Sequence, residues 1–547
     1  MKAAPAIARI LAAEGVELVS CFPGNALIEA CAREGIRPVV TRTERGAVNI
    51  ADGFSRVAGG GRVGVCLVQE GAGIESAFAG VAQAYADSVP VLVIPGRHAT
   101  SRVHVPPLFD AVEAFRPITK MAARISSPER VPELLRRAFT QLRTGRPGPV
   151  LLELPSDVAA GELDDAAVAA YRPVVRHRSR PDSADVERAV ELILAARRPL
   201  LLAGGGVHSA EAWDELRDLA ELVGLPVMTT INGKGALPEI HPLSLGAAGL
   251  SATGAADQLL RSSDLILSIG SSLTTWWMMA PLPAGCPIIQ STVDERDLAK
   301  DHAIEHALLG DARLVLADLC TALRERLDAG ARPAWPDPVA EIAAAKSAWR
   351  ARFAAKLAAS TVPINPYRVV AELQAVLRGE QAIVTHDAGH PRDQLAPFYE
   401  TSLPRGYLGW GHSTQLGFSL GLALGIKLAQ PTWKVVHVLG EAAVGMAGME
   451  LETASRAGIG IVTVVLRNGV MGGYAATMPV ASERFGVHEL GGDYVGLARS
   501  LNVAAERVDD PLEVAPALRR ALALADAGSP ALVEVRTAEE PDLSTFW

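Results

Sequence analysis

Gly440-Glu441-Ala442-Ala443 and Arg467-Asn468-Gly469-Val470 are two turns, and each directly follows a short apolar run. The runs, residues 435–439 and 461–466, have the length and composition of buried strands, and residues 446–457 between them predict a helix. Two parallel strands joined by a helix place both turns at the same carboxyl edge of a sheet. The sequence therefore predicts an α/β domain with a ligand site where these turns meet.

The two turns offer oxygen atoms of the kind that magnesium prefers. Glu441 has a carboxylate, Asn468 has an amide oxygen, and Val470 has a free backbone carbonyl. Magnesium takes hard oxygen ligands, particularly where it also holds a diphosphate. A separation of about 27 residues between Glu441 and Asn468 suits one βαβ crossover. A capped helix N-terminus without a metal is the alternative interpretation of the first turn.

Together the two turns resemble the thiamine-diphosphate motif, which has Gly-Asp-Gly followed, after fewer than thirty residues, by Asn. The chain departs from that motif with Glu441 in place of Asp and Ala442 in place of the second Gly. The resemblance implies that Glu441, Asn468 and Val470 bind magnesium. It also implies that the whole turn Gly440-Glu441-Ala442-Ala443 binds the cofactor, with the N–H groups of Ala442 and Ala443 directed at the phosphates.

A second stretch, near the N-terminus, resembles another part of the same family. Thr43-Glu44-Arg45-Gly46 leads into Ala51-Asp52-Gly53-Phe54-Ser55-Arg56, which is similar to the family's strand-end glutamate and the helix after it. The resemblance implies that Glu44 is catalytic and binds the cofactor. A buried carboxylate that is hydrogen-bonded to the pyrimidine ring of thiamine can share a proton with it and so activate the cofactor. The alternative is an acid that only stabilises the helix start, by about 0.5–2 kcal/mol.

A third stretch, Thr414-Gln415-Leu416-Gly417, resembles the turn that places a large apolar residue beneath the cofactor. The resemblance implies that Leu416 forces the two rings of thiamine into a bent shape. It also implies that the carbonyl of Thr414 accepts a hydrogen bond from the pyrimidine amino group. The alternative is that Leu416 is an ordinary core residue.

Other cofactor-binding positions follow from the same resemblance. The stretch after the apolar residues 382–384 is similar to the turn that holds the diphosphate, and the 69–76 loop, in which Ala72 replaces a proline, is similar to the turn on the pyrimidine. The further positions that this implies are Pro23, Gly24, Gly73, Ser76, Gly389, His390 and Met471.

Length and composition fit a multidomain protein with large buried sheets. The chain has 547 residues, of which 49% are hydrophobic, and this suits three domains of roughly 150–200 residues. A formal charge of −9 argues against a nucleic-acid or acidic-membrane partner. We expect a cytoplasmic protein, because the cysteines lack metal-ligand spacing, no signal peptide is recognisable, and no apolar run reaches the ~18–20 residues that span a bilayer.

Strands and helices alternate along the chain, which predicts three doubly wound parallel-sheet α/β domains. The predicted order is a pyrimidine-binding domain (1–172), a central domain (183–330), a connector (331–365) and a diphosphate- and magnesium-binding domain (366–547). The tail is polar until Phe546-Trp547. We expect it to fold back onto the body of the protein, where it could cover an active site.

The domain order resembles the acetohydroxyacid synthase and pyruvate oxidase branch of the thiamine-diphosphate superfamily. Members of that branch can hold FAD in the central domain, and Gly204-Gly205-Gly206 with Asp294 and Asp311 is similar to the segment that binds it. Gly246-Ala247-Ala248-Gly249 lacks the usual Met-His pair, and Gly270-Ser271-Ser272-Leu273 lacks the usual arginine. FAD is therefore possible but not favoured, and we expect a colourless protein.

The resemblance implies an enzyme that uses thiamine diphosphate and magnesium to form or cleave a carbon–carbon bond beside a carbonyl. The favoured reaction is acetolactate synthase-like carboligation of a 2-oxo acid. Decarboxylation of a 2-oxo acid, or cleavage of a 1,2-dicarbonyl compound, is the enzyme alternative, and an inactive regulatory subunit is the non-enzyme alternative. In this family the cofactor lies between the first domain of one subunit and the third domain of another, so we expect a homodimer or homotetramer.

Overall fold

The computed structural model describes residues 1–546, which form three parallel β-sheets interleaved with helices. Each sheet has six strands within this described part of the chain. Most strands are short apolar runs that are buried throughout, as parallel sheets between helices require. The predicted fold class, three doubly wound α/β units, is confirmed.

The first sheet comes from the N-terminal third of the chain. Its strands are β1 (Leu18–Cys21), β2 (Arg37–Val40), β3 (Gly64–Val68), β4 (Val91–Arg97), β5 (Met121–Arg124) and β6 (Val150–Pro155). Their order across the sheet is β2-β1-β3-β4-β6-β5. The accompanying helices are α1 (Ala3–Ala13), α2 (Leu27–Arg33), α3 (Glu44–Ala58), α4 (Ala72–Ala86), α5 (Ala111–Phe115), α6 (Val131–Arg143), α7 (Ser156–Ala160) and α8 (Asp165–Ala169).

The second sheet belongs to the middle of the chain. Its strands are β7 (Pro199–Ala203), β8 (Val227–Thr229), β9 (Ser244–Ala247), β10 (Leu265–Ile269), β11 (Ile288–Thr292) and β12 (His306–Leu309). Their order is β12-β11-β10-β7-β8-β9. The helices here are α9 (Ser183–Ala195), α10 (Gly205–Ala210), α11 (Trp213–Val223), α12 (Gly254–Ser262) and α13 (Ala312–Asp328), and α14 (Val339–Leu357) follows them.

The third sheet carries the two predicted ligand-binding turns, residues 440–443 and 467–470. Its strands are β13 (Ala382–His386), β14 (Tyr407–Leu408), β15 (Lys434–Gly440), β16 (Val462–Arg467), β17 (Ala504–Val508) and β18 (Ala531–Arg536). Their order is β14-β13-β15-β16-β18-β17. The helices are α15 (Pro366–Val376), α16 (His390–Phe398), α17 (Ser419–Ala429), α18 (Glu441–Ala447), α19 (Glu450–Ala457), α20 (Tyr474–Thr477), α21 (Pro479–Phe485), α22 (Tyr494–Ser500) and α23 (Val514–Asp526).

The first and third sheets have the same topology, and their equivalent helices pack on each other. α3 and α17 each follow the second strand of their sheet, and they are in extensive contact. A Cβ on Gly53 of α3 would lie 2.1 Å from the carbonyl oxygen of Leu422 in α17. In the same way, a Cβ on Gly425 of α17 would lie 2.0 Å from the carbonyl oxygen of Ile50 in α3. Because both positions are glycine, the two helices can approach this closely. The helix that begins at Glu44 is therefore held directly against the third domain.

The helix predicted at residues 446–457 begins too late, so this prediction is wrong at its N-terminal end. The structure has two helices in this region, α18 and α19, separated at Gly448-Met449. Gly440 is extended and precedes α18 as its N-cap, so the first helical turn already contains Glu441. An acidic side chain is favoured there by the helix dipole. The helix thus begins at the turn that the sequence assigns to the ligand.

The C-terminal tail packs on the body of the protein, as expected. Ser544 is buried, and its hydroxyl donates a hydrogen bond to the carbonyl of Ala252 in the central domain (2.7 Å). Glu539 accepts a hydrogen bond from the N–H of Gly473, in the loop after β16 (3.0 Å). The tail therefore touches the loop that carries predicted site residues. Trp547 lies outside the described residues.

The cysteines are unpaired and are core residues for the most part. Four are buried and Cys286 is partly buried. Burial raises the pKa of the Cys21 and Cys320 thiols to about 11, so they stay protonated at neutral pH. Within residues 1–546, none of the helices combines the length and the apolar character that crossing a bilayer requires.

Candidate active site

The predicted diphosphate residues lie at a switch point of the third sheet. β13 pairs with β14 on one side and with β15 on the other, so the strand order reverses between β13 and β15. In doubly wound sheets such a point opens a crevice at the carboxyl edge, where ligands bind. The turn after β13 carries Gly389 and His390, and the turn after β15 carries Gly440 and the start of α18. The fold therefore brings both predicted diphosphate turns to one crevice.

Glu441 joins the two predicted metal-binding turns. Its side chain is only 1% exposed. Oε2 accepts hydrogen bonds from the backbone N–H groups of Asn468 (3.0 Å) and Gly469 (2.8 Å). Asn468 Oδ1 in turn accepts one from the N–H of Val470 (3.1 Å). The structure thus brings Glu441, Asn468 and Val470 together.

The second carboxylate oxygen of Glu441 is compatible with a bound cation. Oε1 is buried and has no hydrogen-bond partner among residues 1–546, and the nearest guanidinium nitrogen, Arg467 Nε, is 3.8 Å away. A buried charged oxygen without a partner is costly unless a cation compensates it. Burial raises the pKa of the Glu441 carboxyl, although the N–H groups of Gly469 and Asn468 oppose the shift. The residues present fit a magnesium ion, which would neutralise diphosphate charge here.

The turn after β13 contacts the loop after β16. Gly389 has φ +92°, and around its Cα the space is open, since an added Cβ would meet only Pro391 Cδ, at 3.9 Å. The ring of His390 lies against Gly472, which follows Met471: a Cβ on Gly472 would be 2.4 Å from His390 Nδ1. That nitrogen is buried without a partner in the described structure, and burial lowers the pKa of His390. A neutral imidazole with an unused nitrogen therefore lies beside the crevice.

Ala442 stands where the family has a glycine, and the backbone accommodates it. The residue belongs to the first turn of α18 and does not have the positive φ that would require glycine. Alanine is favourable within a helix. The N–H groups of Ala442 and Ala443 lie at the N-terminus of α18, the position from which the family motif implies that they bind the phosphates. This departure from the family motif leaves the backbone donors in place.

The Leu416 turn lies against α18 and is fixed by a buried carboxylate. A Cβ on Gly417 would lie 2.8 Å from Met446 Cβ, and Leu416 packs at the edge of the apolar cluster between the first and third domains. Asp387, which is fully buried, accepts hydrogen bonds from the N–H groups of Gly417 (3.1 Å) and Ser419 (3.1 Å). Burial raises the pKa of Asp387, and the Ser419 hydroxyl opposes the shift. Asp387 therefore holds the Leu416 turn in place.

Asp387 is absent from the predicted site residues. Its position directly after β13, two residues before Gly389, is a signal that could have identified it, because an acid at a strand end often accepts backbone N–H groups of a neighbouring turn. Thr414, by contrast, was predicted and lies exposed two residues before Leu416.

Glu44 and the pyrimidine-side residues form a second group, in the first domain. Glu44 begins α3, and its Oε1 is 3.5 Å from the position that a Cβ on Gly73 would take. The side chain of Gln69 packs against Gly73 and also against Gly24, where an added Cβ would be 2.9 Å from Gln69 Oε1. Two other predicted residues on this side are exposed, namely Pro23 and Ser76.

Glu44 is partly exposed in the single chain, so the prediction of a buried carboxylate is wrong for the chain alone. The cap of α3 is Thr43, whose hydroxyl oxygen accepts a hydrogen bond from the N–H of Gly46 (2.9 Å). Among residues 1–546, the Glu44 carboxylate has no hydrogen bond and no ion pair. Because the helix start is satisfied without it, the Glu44 carboxylate remains available to a ligand.

Two side chains that are not among the predicted site residues connect the two groups. Arg45 donates a hydrogen bond to the carbonyl of Leu416 (2.7 Å). Gln415 donates one to the carbonyl of Ala79 in α4 (2.9 Å). Both partners are remote in sequence, so no local pattern identifies these contacts. They place the Leu416 turn beside the Glu44 helix, although no described hydrogen bond or ion pair joins Glu44 itself to the metal-binding turns.

A separate cavity of about 520 Å³ lies where the three domains meet. Of the residues that resemble the FAD-binding segment, Gly205, Gly206 and Asp311 line this cavity. Asp294 forms an ion pair with Arg296 (2.7 Å). Charged side chains from all three parts of the chain also line it: Arg56, Arg146, Arg176, Arg178, Asp297 and Arg405. This volume is in the range of small-molecule sites.

Comparison with known protein families accounts for all three domains. The N-terminal TPP binding domain of thiamine pyrophosphate enzymes matches residues 1–120, the central domain matches 186–319, and the C-terminal TPP binding domain matches 387–535. The chain belongs to the thiamine pyrophosphate enzymes.

Individual relatives indicate the branch of that family. The chain is 34% identical to a probable acetolactate synthase large subunit of Methanocaldococcus jannaschii, over 95% of this chain and 90% of the relative. It is 31% identical to the acetolactate synthase large subunit of Corynebacterium glutamicum, over 96% and 85%. It is 30% identical to the large subunit of acetolactate synthase isozyme 3 of Escherichia coli, over 86% and 83%. The protein is a thiamine-pyrophosphate-dependent, acetohydroxyacid synthase-like enzyme.

Proposed function

We propose that the protein joins two 2-oxo acid molecules, with loss of carbon dioxide from one, and so forms an acetolactate-type product. The observation that carries the proposal is the near-complete match to acetolactate synthase large subunits, together with a crevice whose turns keep the cofactor donors in place. The magnesium requirement is part of the proposal and is supported by the partnerless Oε1 of Glu441.

The diphosphate end of the cofactor would be held by the third domain. Glu441, Asn468 and Val470 would bind magnesium through oxygen atoms. The turns at the switch point would supply hydrogen-bond donors to the phosphates, from Gly389, His390, Gly440, Ala442 and Ala443. Met471 would lie beside these donors.

The ring end of the cofactor would be held by the first domain and the Leu416 turn. Glu44 would share a proton with the pyrimidine ring, and the carbonyl of Thr414 would accept a hydrogen bond from the pyrimidine amino group. Leu416, fixed by Asp387, would support the bent ring arrangement. Bound thiamine diphosphate supplies the nucleophilic carbon and the electron sink, while the protein supplies position and charge. Smaller contacts would come from Pro23, Gly24, Gly73 and Ser76.

The proposed reaction is tested by supplying pyruvate with thiamine diphosphate and magnesium and identifying the product. We expect acetolactate, and none without the cofactor. Acetaldehyde and carbon dioxide as the sole products would replace carboligation with decarboxylation. Turnover of a 1,2-diketone in place of pyruvate would make diketone cleavage the function.

We further propose that the smallest active unit is a homodimer, and that the protein is a homodimer or a homotetramer. Glu44 is partly exposed in the single chain, whereas proton sharing requires it to be shielded from water. Apolar side chains near the crevice are also exposed, and a second chain would cover them: Met446 (58%), Tyr474 (46%), Met478 (37%) and Phe485 (78%). Sedimentation at assay concentration should show a dimer or tetramer, and a fully active monomer would contradict this proposal.

We expect the purified protein to be colourless, with no stoichiometric FAD. Ser271-Ser272-Leu273 lacks the arginine that the family places there against the flavin, and the arginines that line the cavity come from other segments. Bulky side chains occupy part of its wall, since the rings of Trp276 and His412 are 5.5 Å apart and Arg392 contacts the sulfur of Met278 (2.9 Å). An absorption spectrum after gel filtration tests this, and a flavin band equal in amount to the protein would contradict it. In the expected protein without FAD, the central domain is structural or holds an adenine nucleotide at most.

The remaining proposals concern organisation and location. We propose domain limits of 1–172, 183–330 and 366–547, and the three family matches fall within them. We also propose a cytoplasmic location, which the free cysteines support.

A further inference from the structure

Glu450 is a buried carboxylate of the third domain that binds the backbone of the first. It begins α19 and is 2% exposed. Oε1 accepts hydrogen bonds from the N–H (3.0 Å) and the hydroxyl (2.9 Å) of Thr43. Oε2 accepts them from the N–H of Arg42 (3.1 Å) and the hydroxyl of Thr453 (2.7 Å). Four donors satisfy this carboxylate, three of them from the two residues that precede Glu44.

The start of α3 is built around this contact. The Thr43 hydroxyl donates to Glu450 and accepts from the N–H of Gly46 (2.9 Å), so its orientation is fixed from both sides. A Cβ on Gly46 would lie 2.2 Å from Glu450 Oε1, which means that only glycine allows the carboxylate to approach the helix start. The negative charge also lies at the N-terminus of α3, where the helix dipole favours it.

We propose that Glu450 is a positioning residue for Glu44. It fixes the turn from which the Glu44 side chain projects, and it does so without contacting the cofactor. The proposal rests on the proposed function, in which Glu44 shares a proton with the pyrimidine. In the proposed dimer, Glu441 at the start of α18 would hold the cofactor in one site, whereas Glu450 at the start of α19 holds the Glu44 turn of its own chain.

The substitution Glu450→Gln keeps the shape and removes the charge. A carboxamide has one acceptor oxygen and an NH2 group that can only donate, so about half of the four donors lose their acceptor. Buried donors without partners are costly, and the turn should shift to satisfy them. Since a displacement of about 1 Å can lower a rate by about 10²-fold, we expect turnover to fall by about 10- to 100-fold.

Two measurements separate positioning from a general loss of structure. Hydrogen–deuterium exchange of the protein without cofactor should show faster exchange at residues 42–47 in Glu450→Gln, while calorimetry should show nearly unchanged affinity for magnesium and thiamine diphosphate. The matched control is Glu506→Gln, in the same domain, where the partly exposed carboxylate is ion-paired with Arg520 (2.8 Å). The control should match the wild type in both measurements.

A double-mutant cycle with Glu44→Gln shows whether Glu450 acts through Glu44. The measured quantity is the rate at which the thiazolium C2 hydrogen of the bound cofactor exchanges for deuterium. This measurement requires no substrate. We expect Glu450→Gln to slow this exchange in the wild-type background and to have little further effect when Glu44 is already Gln. If Glu450→Gln does not fold, Thr43→Val should slow the exchange and Thr43→Ser should restore it.

Failure of this proposal is distinguishable from failure of the proposed function. Wild-type exchange rates in Glu450→Gln, or a loss that multiplies fully with that of Glu44→Gln, would overturn the positioning role. If pyruvate gives no acetolactate but the exchange results are as expected, only the substrate assignment is lost. A wild-type protein that binds the cofactor but does not exchange the C2 hydrogen would overturn both the Glu44 assignment and this proposal.

Discussion

Glu44→Gln is expected to bind thiamine diphosphate with near-normal affinity and to lose about 10²- to 10⁴-fold in turnover. The amide has almost the same shape as the carboxylate but cannot share a proton with the pyrimidine ring. In the proposed arrangement the third domain would hold the diphosphate end of the cofactor, so binding should survive. Steady-state kcat and a calorimetric titration of the same preparation measure the two quantities separately.

The matched control for Glu44→Gln is Glu29→Gln. Glu29 is also a glutamate in the first turn of a first-domain helix, and it forms a surface ion pair with Arg33 (2.8 Å). If the loss in Glu44→Gln came only from weakening a helix start, the control should show a comparable loss. Near-wild-type turnover in Glu44→Gln would contradict the catalytic assignment.

Glu441→Ala is expected to raise the magnesium concentration needed for half-maximal activity by about 100-fold or more. Removal of a residue that only supports a metal ligand typically costs 10- to 100-fold in affinity, and loss of a ligand should cost at least as much. The substitution also leaves the N–H groups of Asn468 and Gly469 without their acceptor, so the two turns should separate. Activity measured across a magnesium titration gives this value.

Glu441→Asp is the matched control for Glu441→Ala. It keeps the carboxylate, shortens the side chain by one methylene, and restores the residue usual in the family motif. We expect its magnesium requirement to be comparable to that of the wild type. If Glu441→Ala required no more magnesium than the wild type, the metal site would have to lie elsewhere.

The third-domain site could be predicted from sequence because its parts are local. Each predicted turn directly follows an apolar run, and parallel strands necessarily bring such turns to one edge. Gly389, Glu441 and Asn468 therefore meet at the crevice as the strand pattern indicates. The predicted helix start at residue 446 is too late. Ala442 and Ala443 favour a helix, but Val444 and Gly445, which also belong to α18, have lower helix propensity and obscure the signal.

The contacts that join the domains could not be predicted, because they depend on packing between remote segments. Arg45 reaches the Leu416 carbonyl, and Glu450 reaches the turn before Glu44, across separations of several hundred residues. No periodicity or spacing encodes such pairs. The exposure of Glu44 has the same origin, since what covers a side chain at a domain edge is set by its neighbours in space.

Calorimetric titration of thiamine diphosphate into the purified protein, with and without magnesium, tests the central claim most directly. A chain that keeps Glu44, Glu441 and Asn468 for catalysis should bind the cofactor with a dissociation constant in the micromolar range or tighter when magnesium is present, and markedly more weakly when it is absent. No binding at millimolar cofactor with saturating magnesium would contradict the enzyme assignment and leave an inactive regulatory subunit as the better description.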